Sequence, residues 1–305
     1  MGANSSLFLL TFATLLVKTV MDEHNQILLV DSGSTKTQWR VVTLAGATLE
    51  EFFTEGINPA LMPAATVDAA INAALRKRRL TPAHVYYYGA GCTPDRVFMV
   101  KQTLRRLYPQ ALVEVRSDLY AAIHALCGMD EGIACILGTG MASCLCKGGE
   151  VVQQTPSLGY ILGDEGSGAV LGRKLVGAVL KGALSPEVCE AWNVESGLSV
   201  AEVIGRVYRE PQANRFLASF APFIGRHIED KSVEDMVTAE FRHFFRRNIA
   251  PYERRDLLVN FVGGIATNFK TQLCEAARLE GFEVGTVMQA PMDALAGFYG
   301  KDVIC

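Results

Sequence analysis

Three observations on this 305-residue sequence predict an α/β fold of two duplicated lobes. A short apolar run that ends in a glycine-bearing turn and continues as a second strand-like run occurs over Ile27–Leu44, and again over Ala134–Cys146. Further apolar runs alternate with stretches of helical period, which implies parallel strands joined by crossover helices. Half of the residues are hydrophobic and a fifth are charged. A chain of this length and composition buries a large core, divides into two lobes and is not disordered.

The elements follow in order. Ile27-Leu28-Leu29-Val30 is a buried strand ending at Asp31; Ser32, Gly33, Ser34 and Thr35 turn the chain, and Gln38 to Leu44 returns as a second strand. Thr48 to Phe53 supplies a third strand. Val67, Ile71, Ala74 and Leu75 recur at helical spacing behind Thr66, a candidate cap. Val85 to Tyr88 is a strand that ends in the turn Gly89-Ala90-Gly91, followed by a helix over Val97–Leu107, a strand over Leu112–Val115 and a helix from near Asp118. The second round starts at Ala134-Cys135-Ile136-Leu137, turns at Gly138-Thr139-Gly140, leaves through Ala142–Cys146 and turns again at Gly148-Gly149. Helical patterns then dominate from about Gly168 to Arg247. Leu258–Val262 is a buried strand broken by Gly263-Gly264; Ile265–Leu279 reads as a helix, Glu283–Val287 as the last strand, and a short helix follows Pro291. No low-complexity linker separates the lobes, so the boundary runs through the helix near Asp118. The expected N-terminal lobe is 22–118 with 290–305, the C-terminal lobe is 119–289, and residues 1–21 form an extension outside the core.

Within that extension Leu7 to Val17 is nearly all apolar. No basic residue precedes the run, no small-x-small cleavage site follows it, and it is too short for a membrane span, so no stable membrane insertion is expected and a cytoplasmic location is. The opening Met1–Ser6 fits a myristoylation pattern only loosely. The net charge is −3, and the one basic run, Arg76-Lys77-Arg78-Arg79, ends a helical pattern and complements a helix C-terminus. It lacks the broad basic footprint of a nucleic-acid surface. The eight cysteines show no paired framework, and Cys144-Leu145-Cys146 alternates as a strand does. Reduced, buried thiols are the expectation.

Chemistry is concentrated at the glycine turns. Asp31-Ser32-Gly33-Ser34-Thr35 puts a carboxylate that can organise a metal beside backbone N–H groups that can meet phosphate oxygens. The same string is equally an ordinary hairpin turn. Gly138-Thr139-Gly140 is a second such turn; facing the first across a cleft, it would hold a polyphosphate from the other side. Gly263-Gly264 after a buried strand is a third place for close approach of a ligand, adenine being the candidate. Ser117-Asp118 lies where a strand passes into a helix, so Asp118 is either a helix cap or a base. Asn58 in Gly56-Ile57-Asn58-Pro59 is either a turn residue or a ligand contact.

Over roughly residues 25–300 the chain resembles the acetate and sugar kinase, Hsp70 and actin superfamily. More narrowly it resembles the BadF/BadG/BcrA/BcrD-type ATPases that include N-acetylglucosamine kinases. The most specific element is Leu162-Gly163-Asp164-Glu165-Gly166-Ser167-Gly168, approached through Ser157-Leu158-Gly159-Tyr160. As structure alone it is a glycine-rich turn with charges at a helix N-terminus; as a site its two carboxylates suit bidentate recognition of sugar hydroxyls. The resemblance implies two ribonuclease H-like lobes of the actin/sugar kinase fold with an interlobe cleft, ATP and Mg2+ as cofactors, and phosphorylation of an amino sugar. N-acetylglucosamine, at C6, is the first candidate. A small-molecule sugar and ATP are the implied partners, with no nucleic acid, and a homodimer is the family-level expectation.

By the same resemblance Asp118 is the catalytic base and Asp31 organises Mg2+ through water. Gly33, Ser34, Thr35, Lys36, Gly138, Thr139, Gly140, Gly263 and Gly264 meet ATP, while Asn58, Asp118, Met141, Ala142, Gly159 and Asp164 meet the sugar. The chain departs from the pattern twice. Where the second phosphate loop commonly reads Gly-Thr-Gly-Ser it has Met141 before Ala142-Ser143, and Gly-Gly-Trp-Gly becomes Ser157-Leu158-Gly159-Tyr160. Both changes fall on implied sugar contacts, so N-acetylmuramic acid, glucosamine or another hexose stay open as substrates. An ATPase activator of a 2-hydroxyacyl-CoA dehydratase would need Cys ligands to a cluster shared by two subunits. A non-catalytic sugar sensor would need no base. A ROK-type kinase or repressor would bring a Cys-rich zinc motif or an N-terminal helix-turn-helix, and neither is found.

Overall fold

Ile27–Val30 are buried on both faces of a sheet, and that explains why they read as an unbroken apolar run. They form the centre of β1 (Gln26–Ser32) in a computed structural model that describes residues 26–302; the extension over residues 1–21 lies outside the described residues. The chain continues through β2 (Lys36–Thr43), β3 (Thr48–Glu55), α1 (Ala64–Leu75), β4 (Pro82–Gly89), α2 (Val97–Leu107), β5 (Leu112–Ser117) and α3 (Asp118–Leu126). The sheet order is β3-β2-β1-β4-β5: β1 and β3 run antiparallel to β2, whereas β4 lies parallel to β1 and to β5. Leu28, Val30, Trp39, Val85 and Tyr87 pack under Val67 and Ile71 of α1 and Val100 and Leu104 of α2. Thr66 is not the cap of α1. Pro63 stands at the N-cap with φ −60°, no side chain caps the helix, and Ala64 and Ala65, good helix formers, carry it one turn earlier.

The second round repeats the plan. It contains β6 (Gly132–Leu137), β7 (Met141–Lys147), β8 (Glu150–Thr155), α4 (Gly159–Leu162), α5 (Gly168–Leu180), α6 (Pro186–Ser196), α7 (Val200–Tyr208), α8 (Ala213–Ala218), α9 (Ala221–Arg226) and α10 (Lys231–Phe244). A π turn (Phe245–Ile249) and a 3-10 turn (Ala250–Tyr252) lead to β9 (Val259–Val262), α11 (Gly264–Asn268), α12 (Lys270–Leu279), β10 (Val284–Met288) and α13 (Met292–Asp302). The order β8-β7-β6-β9-β10, with an antiparallel meander on one side of β6 and parallel strands on the other, matches the first sheet strand for strand. Strand β8 escapes sequence reading because it is a polar edge whose Val152, Gln153 and Gln154 are all exposed. The single helix expected over Ile265–Leu279 is two helices. Phe269 breaks the backbone (φ −114°, ψ 32°) yet stays buried, so the apolar period runs on through the interruption.

The chain divides into two units, one of the described residues up to Ala121 and from Met292 on, the other Ala122–Pro291. The last helix, α13, belongs to the first unit. Arg40 Nη1 lies 2.5 Å from Asp293, the Tyr88 and Tyr299 hydroxyls are hydrogen-bonded, and the Tyr86 and Tyr299 rings stack at 3.8 Å. Among the described residues no helix is long and apolar enough to cross a membrane.

Candidate active site

In the first unit the carboxyl ends of the parallel strands β1, β4 and β5 bring together Asp31, Gly89 and the Ser117-Asp118 step. Such strand ends are where open α/β sheets bind ligands. Both carboxylates keep a strip of accessible surface, although protein atoms surround them densely. Burial pushes Asp31 up to about 7; the nearby Asp118 charge adds to the rise and Lys36 opposes it. Asp118 is pushed up to about 6 by burial, against hydrogen bonds from the Leu119 and Asp118 amides at the start of α3. The helix start therefore holds Asp118 in place, and its proton affinity suits a base working near neutrality.

The β1–β2 turn is braced from below. The Gly33 amide donates to the Lys36 carbonyl at 2.9 Å and the Gly56 amide to the Thr35 carbonyl at 3.0 Å. A Cβ on Gly56 would lie 2.5 and 2.6 Å from the carbonyl carbon and oxygen of Ser34, so the turn can settle only on a glycine there. Ser32, fully buried, donates to the Ile57 carbonyl at 3.0 Å and stands 2.7 Å from the Thr37 hydroxyl. Asn58 Nδ2 donates to Ser34 Oγ at 3.1 Å, and its Oδ1 accepts from the Ala60 amide at 3.0 Å. A Cβ on Gly91 would fall on that Oδ1. Asn58 thus makes its turn and also touches the phosphate-loop candidate. Thr35 and Lys36 are exposed at the tip, with Lys36 Nζ 4.5 Å from the Phe53 ring.

The second unit gathers the remaining candidates by different means. Gly138-Thr139-Gly140 is held by backbone: the Gly168 amide donates to the Gly138 carbonyl at 2.8 Å and the Ala169 amide to the Thr139 carbonyl at 3.1 Å, fixing the turn on the start of α5. Gly263 has φ +127°, its amide donates to Met288 at 2.9 Å, and a Cβ there would fall on the Leu137 carbonyl. A Cβ on Gly264 would come 3.2 Å from Gln289 Nε2. Asp164, at 8% exposure and φ +54°, accepts the Gly159 amide at 3.1 Å. Its other oxygen would lie 3.2 Å from a Cβ on Gly140, so Gly140, Gly159 and Asp164 form one group. Burial raises the Asp164 carboxyl; the Gly159 amide opposes this and the Glu165 charge adds to it.

Two expectations change here. Asp164 and Glu165 do not act as a pair, because Glu165 turns instead to Arg247 and to Asn248 Nδ2, each at 3.2 Å. Met141 offers no side chain to a sugar: the alternation of β7 points it into the core at 5% exposure, while Ala142 stays half-buried. Sequence reasoning also missed Glu240, Arg247 and Asn248, of which Glu240 did leave a signal as the one charge on a face with Val233, Val237, Phe241 and Phe244.

A magnesium ion fits the first unit. Asp31 offers one carboxylate with a neighbouring like charge for a cation to relieve, and Mg2+ takes most of its remaining ligands from phosphate oxygens and water.

No protein-family model and no curated protein matches the chain. Solved structures do. One, called "Putative N-acetylglucosamine Kinase", from Porphyromonas gingivalis, is 42% identical with a TM-score of 0.87, over 91% of this chain and 100% of that one. A second of that designation, from Chromobacterium violaceum, is 17% identical with a TM-score of 0.72 over 91% and 99% of the two chains. A ROK family glucokinase from Streptomyces griseus, in complex with glucose and AMPPNP, is 17% identical with a TM-score of 0.57 over 90% and 97%. The last two share the fold.

Proposed function

The chain belongs to the family of the Porphyromonas gingivalis N-acetylglucosamine kinase homologue, actin-like sugar kinases in fold, and on that premise we propose that it transfers the γ-phosphoryl group of ATP to a hydroxyl of an amino sugar. N-acetylglucosamine, phosphorylated at C6, is the proposed substrate. The observation that carries the reading is the pair of half-buried carboxylates, Asp31 and Asp118, at the carboxyl ends of parallel strands with proton affinities raised to about 7 and about 6. A helix cap accounts for Asp118 alone; two such carboxylates side by side suit a phosphotransferase, which needs one for a metal and another for a proton.

In this mechanism Asp118 accepts the proton of the attacking hydroxyl. Its helix-start amides hold the carboxylate still and stabilise its charge before the proton arrives. Lys36 binds at the phosphates, and Asp31 would hold a magnesium ion beside them. When bound, that ion would supply charge neutralisation at the transferring phosphate. In the first unit the amides of the Gly33–Thr35 turn and the Thr35 hydroxyl are the proposed phosphate contacts; in the second, the Gly138–Gly140 turn and Thr139 offer the same groups, and Gly263 and Gly264 leave room for a nucleoside. Asn58 is the proposed sugar contact of the first unit, and Asp164 with Gly159 that of the second.

The test is ADP release from ATP·Mg2+ with N-acetylglucosamine, glucosamine, N-acetylmuramic acid, N-acetylmannosamine and glucose, with the products identified by mass spectrometry. The reading predicts N-acetylglucosamine-dependent ADP release and a 6-phosphate product. Folded, ATP-binding protein that responds to no sugar would overturn it.

A further inference from the structure

The signature loop holds a costly conformation. Asp164 (φ +54°) and Gly166 (φ +77°) both adopt left-handed backbone, and for Asp164 that needs support from its surroundings. The support comes from far along the chain. Glu240 on α10 is 1% exposed; its Oε1 accepts the Gly166 amide at 3.0 Å and its Oε2 lies 2.8 Å from Lys174 Nζ on α5. Gly166 is pressed against Phe241 and Phe244, which a Cβ would meet at 3.3 and 3.2 Å. The π turn that follows α10 carries Asn248, whose side chain donates to Glu165. The Asn248 carbonyl receives Ser143 at 3.3 Å and Thr155 at 3.0 Å. One extra residue per turn is a frequent feature of functional sites, and here it directs Asn248 at the loop.

A buried carboxylate is expensive unless paired, and an apolar residue at position 240 would complete the surrounding face of α10. An acid in that place needs a reason beyond packing. We infer that Glu240 is a positioning residue of the sugar site: by holding the Gly166 amide it sets Asp164 in its left-handed conformation, with the carboxylate turned to Gly159 and Gly140, while Lys174 balances the Glu240 charge. This rests on the reading of Asp164 as a sugar ligand. Glu240 touches no substrate; it acts through the loop.

The experiment compares Glu240→Gln, Lys174→Met, the double variant and Asp164→Ala, with KM measured separately for N-acetylglucosamine and ATP and folding checked by thermal melting. Glu240→Gln is expected to raise the sugar KM about tenfold with the ATP KM within about twofold. Lys174→Met is expected to raise the sugar KM about threefold, and the double variant to recover part of the Glu240→Gln loss because it leaves no unpaired ammonium. If Asp164→Ala weakens sugar binding while Glu240→Gln leaves both KM values alone, or shifts both equally, the positioning role is overturned. If Asp164→Ala itself leaves sugar binding unchanged, the sugar-site reading fails and the inference with it. Should Glu240→Gln not fold, Lys174→Met decides: a sugar-selective rise supports the role, and its absence overturns it.

Discussion

The two glycine-turn hairpins, β1–β2 and β6–β7, stand at the same place in sheets of the same order, yet they are built from different materials. The first has an acid at its strand end and is braced by buried hydroxyls, by Asn58 and by the bare Cα of Gly56. The second ends in Leu137, offers no carboxylate of its own, and is braced by amides of α5 and by Gly263. The duplication therefore supplied two glycine turns of one plan, and only the first has a carboxylate at its strand end. Fold and chemistry are separable in one chain.

Each brace can be broken by a single substitution. Gly263→Ala puts a Cβ on the Leu137 carbonyl at φ +127°, and should cost about 3 kcal/mol or more in urea unfolding. Gly56→Ala, crowding Ser34 from below, should cost about 2 kcal/mol.

Charge separates the hairpins next. Because Asp31 is raised in the folded protein from 3.8 to about 7, folding favours its protonated form. Its contribution to stability is fully present below about pH 4 and is lost as the pH rises through 7. Asp31→Asn should accordingly make the ligand-free protein more stable at pH 8 by roughly 1–3 kcal/mol, while lowering kcat tenfold or more. A denaturation series across pH 5–8 with both proteins checks the sign: the gain should shrink toward acid pH. In the uncharged hairpin the corresponding change is small. Thr139→Ala should raise the ATP KM about threefold, with kcat within about twofold and no new pH dependence, as initial rates against ATP would read.

How much of this the sequence carried depends on where each constraint lies. Strands β1 and β6 were legible because burial on both faces leaves unbroken apolar runs, and the glycine turns were legible because they follow those runs directly. The antiparallel edge β8 was not, since nothing buries its Val152, Gln153 or Gln154. Thr66 looked like a cap from side-chain type alone, but the start of α1 was decided by Pro63 and two alanines. Asp31, Asp118 and Asp164 stood out at strand or helix ends. Glu240 and Asn248 reach the signature loop from 74 and 83 positions away, a distance that no local pattern spans. The buried face of Met141, likewise, is a matter of strand register: it pairs with Leu137 across a turn.

If Asp118 takes the proton, single-turnover phosphoryl transfer by Asp118→Asn will show it. With N-acetylglucosamine and ATP·Mg2+ saturating, the variant should fold and bind ATP as the parent does, yet transfer phosphate at least about 10²-fold more slowly. The parent's rate should also fall as the pH drops through about 6, where Asp118 takes up its proton, and the variant should lose that limb. A folded Asp118→Asn protein that transfers at near the parent rate would rule out Asp118 as the base.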